Sequence, residues 1–186
     1  PERTSRASAV VPNKTCRLRP ALEIGAGEAA LAAFHDRWSH DRHVMDKWFA
    51  LQILHADPAQ AAPLATALTG HPAFDWKNPN RFRAVIGSLC ANHAGFHHLS
   101  GAGYRFLADW LIRLDPVNPQ TAARFVDPLA DYSQYAQPWQ GKMKAALQMV
   151  ASQPTLSTDV DDKLKKILGA DYPAKTISAA PTPTGP

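Results

Sequence analysis

The chain has 186 residues, 45% of them hydrophobic and 19% charged, with two cysteines, sixteen prolines and a net charge of +4. That length and apolar content suit a single domain with a core of its own. They leave no run of about eighteen uncharged apolar residues for a membrane span, no apolar stretch for a secretory signal behind the basic N-terminus, and, in Cys16 and Cys90, too few thiols for a disulfide framework or a four-cysteine zinc site.

Residues 1–28 read as a mostly flexible basic leader. Within the first twenty, Arg3, Arg6, Lys14, Arg17 and Arg19 face only Glu2, and this excess equals the whole net charge. From residue 21 onward, fifteen basic and fifteen acidic side chains cancel. A basic block without apolar pattern is ordinarily solvated. Read as a nucleic-acid arm, it would give strongly salt-dependent association. The neutral body argues against nucleic acid as the partner.

Residues 29–169 read as an all-α domain. Ala30, Leu31, Phe34 and Trp38 recur at helical spacing, as do the heavier side chains of the segment from Val44 to Leu54. Asp57-Pro58 predicts a helix start before residues 59–68, because aspartate caps free amides and proline suits a first turn. Asn78-Pro79 predicts the next start, ahead of Phe82, Val85, Ile86 and Leu89. Gly103, Asn118-Pro119, Pro138-Trp139 and Ser157 open the remaining segments, and Gly169 suits the last stop. A helix about every twenty residues, paired into units of about forty, predicts stacked antiparallel helical hairpins of the HEAT or armadillo kind. A plain helical bundle would produce much the same pattern. Residues 170–186, with prolines and small polar residues, read as a flexible Pro-rich tail.

Eight histidines invite a metal reading: His35, His40, His43, His55, His71, His93, His97 and His98. The densest set, His40-Asp41-Arg42-His43, straddles an expected helix break and suits zinc poorly; no histidine is followed by glutamate, so the His-Glu-x-x-His helix is absent. Cys90 follows Leu89 on an apolar helix side and reads as a small hydrophobe. Ser88 and Ser100 lie near glycines, yet no Gly-x-Ser-x-Gly elbow exists. Gly101-Ala102-Gly103 makes neither a phosphate loop nor a dinucleotide fingerprint. No catalytic residue and no metal ligand is assigned to this chain.

Arg83 and Arg124 stand out instead. Each lies on the second turn after an Asn-Pro start, and the starts are forty residues apart. In stacked repeats such positions face one side, where paired guanidinium groups suit a peptide carboxylate. The alternative is two solvated arginines, or arginines paired with Asp127 and Asp131.

Several of these segments, in order, resemble bacterial aminopeptidase N, the zinc-dependent alanyl aminopeptidase family. They are Val44-Met45-Asp46-Lys47-Trp48-Phe49-Ala50-Leu51-Gln52, Asn78-Pro79-Asn80-Arg81-Phe82-Arg83, Phe96-His97, Gly101-x-Gly103-Tyr104-x-Phe106-Leu107, Asn118-Pro119-Gln120 and Lys142-Met143-x-Ala145-Ala146-Leu147. The resemblance covers Ala29 to Leu168. It implies the C-terminal helical domain of such an enzyme, a superhelix that helps enclose the peptide chamber without performing chemistry. Zinc, its ligands and the catalytic glutamate would belong to a separate catalytic domain, which becomes the expected partner beside the peptide substrate. Arg83 and Arg124 match the positions of the family's two chamber arginines near the substrate's C-terminal side. A cytoplasmic location follows from the same resemblance. The rival reading is a stand-alone helical-repeat scaffold that holds a protein or peptide. Five tryptophans supply a core and one interface, so the lone chain is expected to carry an apolar patch or to self-associate modestly.

Overall fold

The computed structural model describes residues 21–173, and among these there is helix and turn but no strand. The chain divides into two compact units, one ending at His40 and one beginning at Asp41. In the first, α1 (Ala21–Trp38) starts eight residues before the periodicity of residue 29 predicts. Gly25 and Gly27 interrupt the apolar pattern there, but the surrounding alanine, leucine and glutamate are strong helix formers. Residues 1–20 and 174–186, which hold most of the expected leader and tail, lie outside the described residues.

In the second unit side-chain acceptors open several helices: Asp41 at a start the sequence did not mark, Asn78, Asn118 and Ser157 at starts it predicts. Asp41 accepts the amides of His43 and Val44 at 2.9 and 3.1 Å and opens α2 (Arg42–Leu54). Asn78 accepts the amide of Asn80 at 3.0 Å, with Pro79 as the first residue of α4 (Pro79–Phe82). Asn118 and Pro119 repeat this arrangement for α8 (Pro119–Phe125), and Ser157 caps α10 (Thr158–Leu168). Side-chain acceptors of this kind satisfy amides that the helix itself leaves free. Asp57 behaves differently: it closes a turn by accepting the amide of Ala59, and α3 (Ala61–Thr69) begins one turn later.

Helix α4 runs on through a π turn (Arg83–Gly87) into α5 (Ser88–Ala91). A four-residue helix, α6 (His93–Phe96), is too short for periodicity to reveal. Then come α7 (Ala102–Leu114) and α9 (Trp139–Ala151). Beyond α10 the chain stays anchored. Gly169 turns at φ 51°, and Asp171 receives Lys144 at 2.7 Å and the Tyr132 hydroxyl at 3.3 Å.

These helices form two layers. One holds α2, the segment from α4 to α5, α8 and α10; α3, α7 and α9 form the other. Within a layer α2 meets α5, α8 meets α10, α3 meets α7 and α7 meets α9, while α2–α3, α7–α8 and α9–α10 pack as hairpins. The long-range polar links carry the repeat length. Asn92 donates to the carbonyl of Ile53, Trp139 to that of His97, and the amide of Ser157 to Asp115, over separations of 39, 42 and 42 residues. Each helix thus finds its partner one repeat away, as stacked hairpins require.

Buried side chains fall on single stripes in α2 (Met45, Phe49, Ile53) and α10 (Val160, Leu164, Leu168), while α7 is buried on more than one side, with Tyr104, Leu107, Leu111 and Leu114 and also Phe106, Ala108 and Trp110. Burying each of the larger side chains contributes about 2 kcal/mol. Edge-to-face rings join the repeats, with Phe82 at 6.0 Å from Trp110 and 5.0 Å from Phe125. Among the described residues no helix is long and apolar enough to cross a membrane.

Candidate functional site

Two adjacent arginines of Asn78-Pro79-Asn80-Arg81-Phe82-Arg83 have opposite fates. Arg81 turns inward and is 5% exposed. Its Nε donates to Asp46 at 2.5 Å, its Nη groups donate to the carbonyls of Ala73 and Arg42, and its guanidinium lies 4.8 Å from the Phe49 ring centre. Arg81 therefore fastens α4 to α2. Arg83 opens the π turn with its side chain exposed, and its Nη1 reaches the Asn80 side-chain oxygen at a long 3.4 Å.

Arg83 lines a cleft of about 430 Å³ between α2 and the segment from α4 to α5. His43, Asp46 and Lys47 form the α2 wall; Asn80, Arg83 and Ser88 form the other. Asp46, its one acid, already carries Arg81. Lys47 and Arg83 have no carboxylate partner among the described residues, so the cleft is positive. Arg124 is exposed in the last turn of α8 and does not line this cleft. It makes no ion pair among the described residues, because Asp127, one expected partner, binds Lys163 at 2.6 Å instead. The rings beside the two arginines, Phe82 and Phe125, are in contact, which stacks α4 on α8 at this point.

The histidines do not converge. Among the described residues no three His, Cys, Asp or Glu side chains are grouped so as to hold a metal ion. Burial pushes the Cys90 thiol up to about 12, which keeps it protonated and a poor nucleophile. His97 has a structural setting. Its Nδ1 lies 2.7 Å from the Tyr104 hydroxyl, its ring stacks on Tyr135 at 4.9 Å, and its carbonyl accepts the Trp139 indole N–H.

Burial, reinforced by neighbouring His93, holds the His97 imidazole below its ordinary range. The fold thus favours neutral His97, whereas the unfolded chain protonates it near its usual value of about 6.5. Stability is expected to fall as pH drops below that value, and to level off once the lower native value is passed. Urea midpoints measured between pH 8 and pH 5 test this, and His97→Gln should flatten the dependence.

The sequence reading weighed His43 only as a metal ligand and passed over Lys47, although Lys47 lies inside a recognised segment. Its exposed position two residues before the buried Phe49 gives no sign of a cleft. The signal lies in the pairing of α2 with α5, which brings together residues about forty apart.

Comparison with known proteins follows this geometry. The family model described as "Domain of unknown function (DUF3458_C) ARM repeats" matches residues 18–169. The chain belongs to the DUF3458_C family of ARM-repeat domains. Relatives of this DUF3458_C chain include aminopeptidase N of Haemophilus influenzae, 45% identical over 143 residues, which are 76% of this chain and 16% of that protein. Aminopeptidase N of Caulobacter vibrioides is 43% identical over 82% of the chain and 18% of its own length. The Escherichia coli enzyme is 36% identical over 80% and 17%. Among solved structures, Legionella pneumophila aminopeptidase A in complex with aspartic acid superposes with a TM-score of 0.73 at 31% identity, over 80% of this chain and 17% of that one. The DUF3458_C chain therefore spans about one sixth of the length of the relatives it matches.

Proposed function

We propose that this chain is the capping domain of a zinc aminopeptidase: it encloses the peptide chamber and performs no chemistry itself. The catalytic domain of the same enzyme is its partner and removes N-terminal residues from peptides with metal-activated water. Arg83 and Arg124 lie on the substrate's C-terminal side and steer its carboxylate. The observation that supports this most is the positive cleft at Arg83, in a chain related by sequence to one sixth of aminopeptidase N.

The domain purified alone should release no alanine from alanyl-p-nitroanilide with zinc added, and activity should appear when it is combined with the catalytic domain. In that assembled enzyme, Arg83→Ala and Arg124→Ala should each raise KM about tenfold for peptides with a free C-terminus. The p-nitroanilide, which has no carboxylate, should be turned over as before. Chelator-sensitive turnover by the lone chain, or equal effects on both substrates, would overturn this reading.

A further inference from the structure

The cleft between α2 and the segment from α4 to α5 holds more than one arginine. Ser88 forms part of its wall and is 7% exposed. Its hydroxyl makes no hydrogen bond to any described residue. Every fully enclosed side-chain nitrogen or oxygen among the described residues has a partner, so the Ser88 oxygen is not enclosed: it reaches the surface where Ser88 lines the cleft. A hydroxyl that is committed to no protein acceptor is free to donate to an entering one.

The π turn explains how Ser88 comes to share a face with Arg83. In an α-helix, positions five apart are rotated by about 140° and point in different directions. Here the amide of Ser88 donates to the carbonyl of Arg83, a bond that spans five residues and stacks the two positions on one face. Gly87 makes room for the result. A Cβ there would sit 3.0 Å from the Arg83 Cγ and 3.6 Å from the Phe125 ring, so the arginine stem lies against the bare glycine.

Across the cleft, Lys47 is exposed and carries no partner among the described residues, while the charge of Asp46 is cancelled by buried Arg81. We propose that Lys47, Arg83 and Ser88 form a carboxylate-binding subsite, with the two cations supplying charge and the serine hydroxyl supplying one further donor. The chemistry suits a peptide's terminal carboxylate or an acidic side chain. This deepens the reading of Arg83 given above, but binding itself requires no catalytic domain.

The full chain, labelled with nitrogen-15, is titrated with trialanine, with trialanine amide, and with Ala-Asp-Ala amide, whose only carboxylate is on its side chain. Amide shifts at Lys47, Arg83 and Ser88 are expected with at least one carboxylate probe and not with trialanine amide; which probe binds identifies the source. Lys47→Met and Ser88→Ala should weaken that binding about tenfold and severalfold, and Lys142→Met should leave it unchanged. Thermal melts of the variants should match the parent chain, since Lys47 is exposed and Ser88→Ala removes only a hydroxyl that bonds to no described residue. Binding of the amide as tight as that of the acids, no binding by either acid, or unchanged affinity in both cleft variants would overturn the subsite. Restored hydrolysis without carboxylate binding would sink the subsite alone; carboxylate binding without restored hydrolysis would sink only the capping-domain reading.

Discussion

Replacing Asp46 by alanine should lower the stability of the domain by about 3 kcal/mol, the cost of stripping the partner from a buried charge. Arg81 is nearly fully enclosed and cannot turn to water without leaving the carbonyls of Ala73 and Arg42. The loss therefore appears as an uncompensated guanidinium, and not merely as one missing hydrogen bond. Arg81→Ala should cost at least as much, because it also removes the stacking on Phe49. Urea denaturation reads both as a lower midpoint at unchanged slope. In a double-mutant cycle the pair should show strong coupling, with the double variant far closer to the single variants than to their sum. Additive losses would mean that the two side chains act independently, against the geometry described.

The second large effect is expected at Gly103. An added Cβ would lie 2.6 Å from the carbonyl oxygen of Phe96 and 3.0 Å from its Cα. Both are backbone atoms, so no side chain can swing aside, and α7 would have to move off the end of α6. Such overpacking costs about 3 kcal/mol for Gly103→Ala. Gly101 makes a useful comparison. Its φ of 72° strains any residue with a Cβ, by about 1 kcal/mol, but its nearest neighbour is the flexible Lys142 side chain. Gly101→Ala should therefore be the milder change, and comparing the two melting temperatures tests the ranking. A Gly103→Ala protein as stable as its parent would show that α6 and α7 pack less closely than described. The shared Gly-x-Gly element thus reflects two separate needs: a left-handed turn at its first glycine and a backbone contact at its second.

Much of the fold was legible in the sequence because its signals act over a few residues. Asn78-Pro79, Asn118-Pro119 and Ser157 cap helices with side chains two or three residues from the amides they accept. The forty-residue spacing of the Asn-Pro starts was equally readable, and it returns as the separation of the polar links between repeats. Where local signals were weak the reading slipped. Two glycines hid the first turns of α1, and Asp57 capped a turn that resembles a helix start.

The site was legible only in part. Arg83 was singled out by its place after an Asn-Pro start, while Arg81, two residues away and in the same segment, was not. Nothing near either residue tells them apart, since their difference rests on Asp46, 35 residues upstream of Arg81. Ser88 shares a face with Arg83 only through the π turn, a departure of one residue from helical register that composition does not announce.

By itself, then, the sequence determined the helical class, the helix starts that carry a capping signal at Asn78, Asn118 and Ser157, the repeat length and the kinship with aminopeptidase N, because capping, periodicity and motif order are written within short stretches of chain. Tertiary structure decided which arginine is buried and which faces solvent, which acid is already neutralised, and which hydroxyl opens on the cleft. Those outcomes depend on charges and surfaces brought together from one repeat to the next, and only the stacking of α2 on the segment from α4 to α5 establishes them.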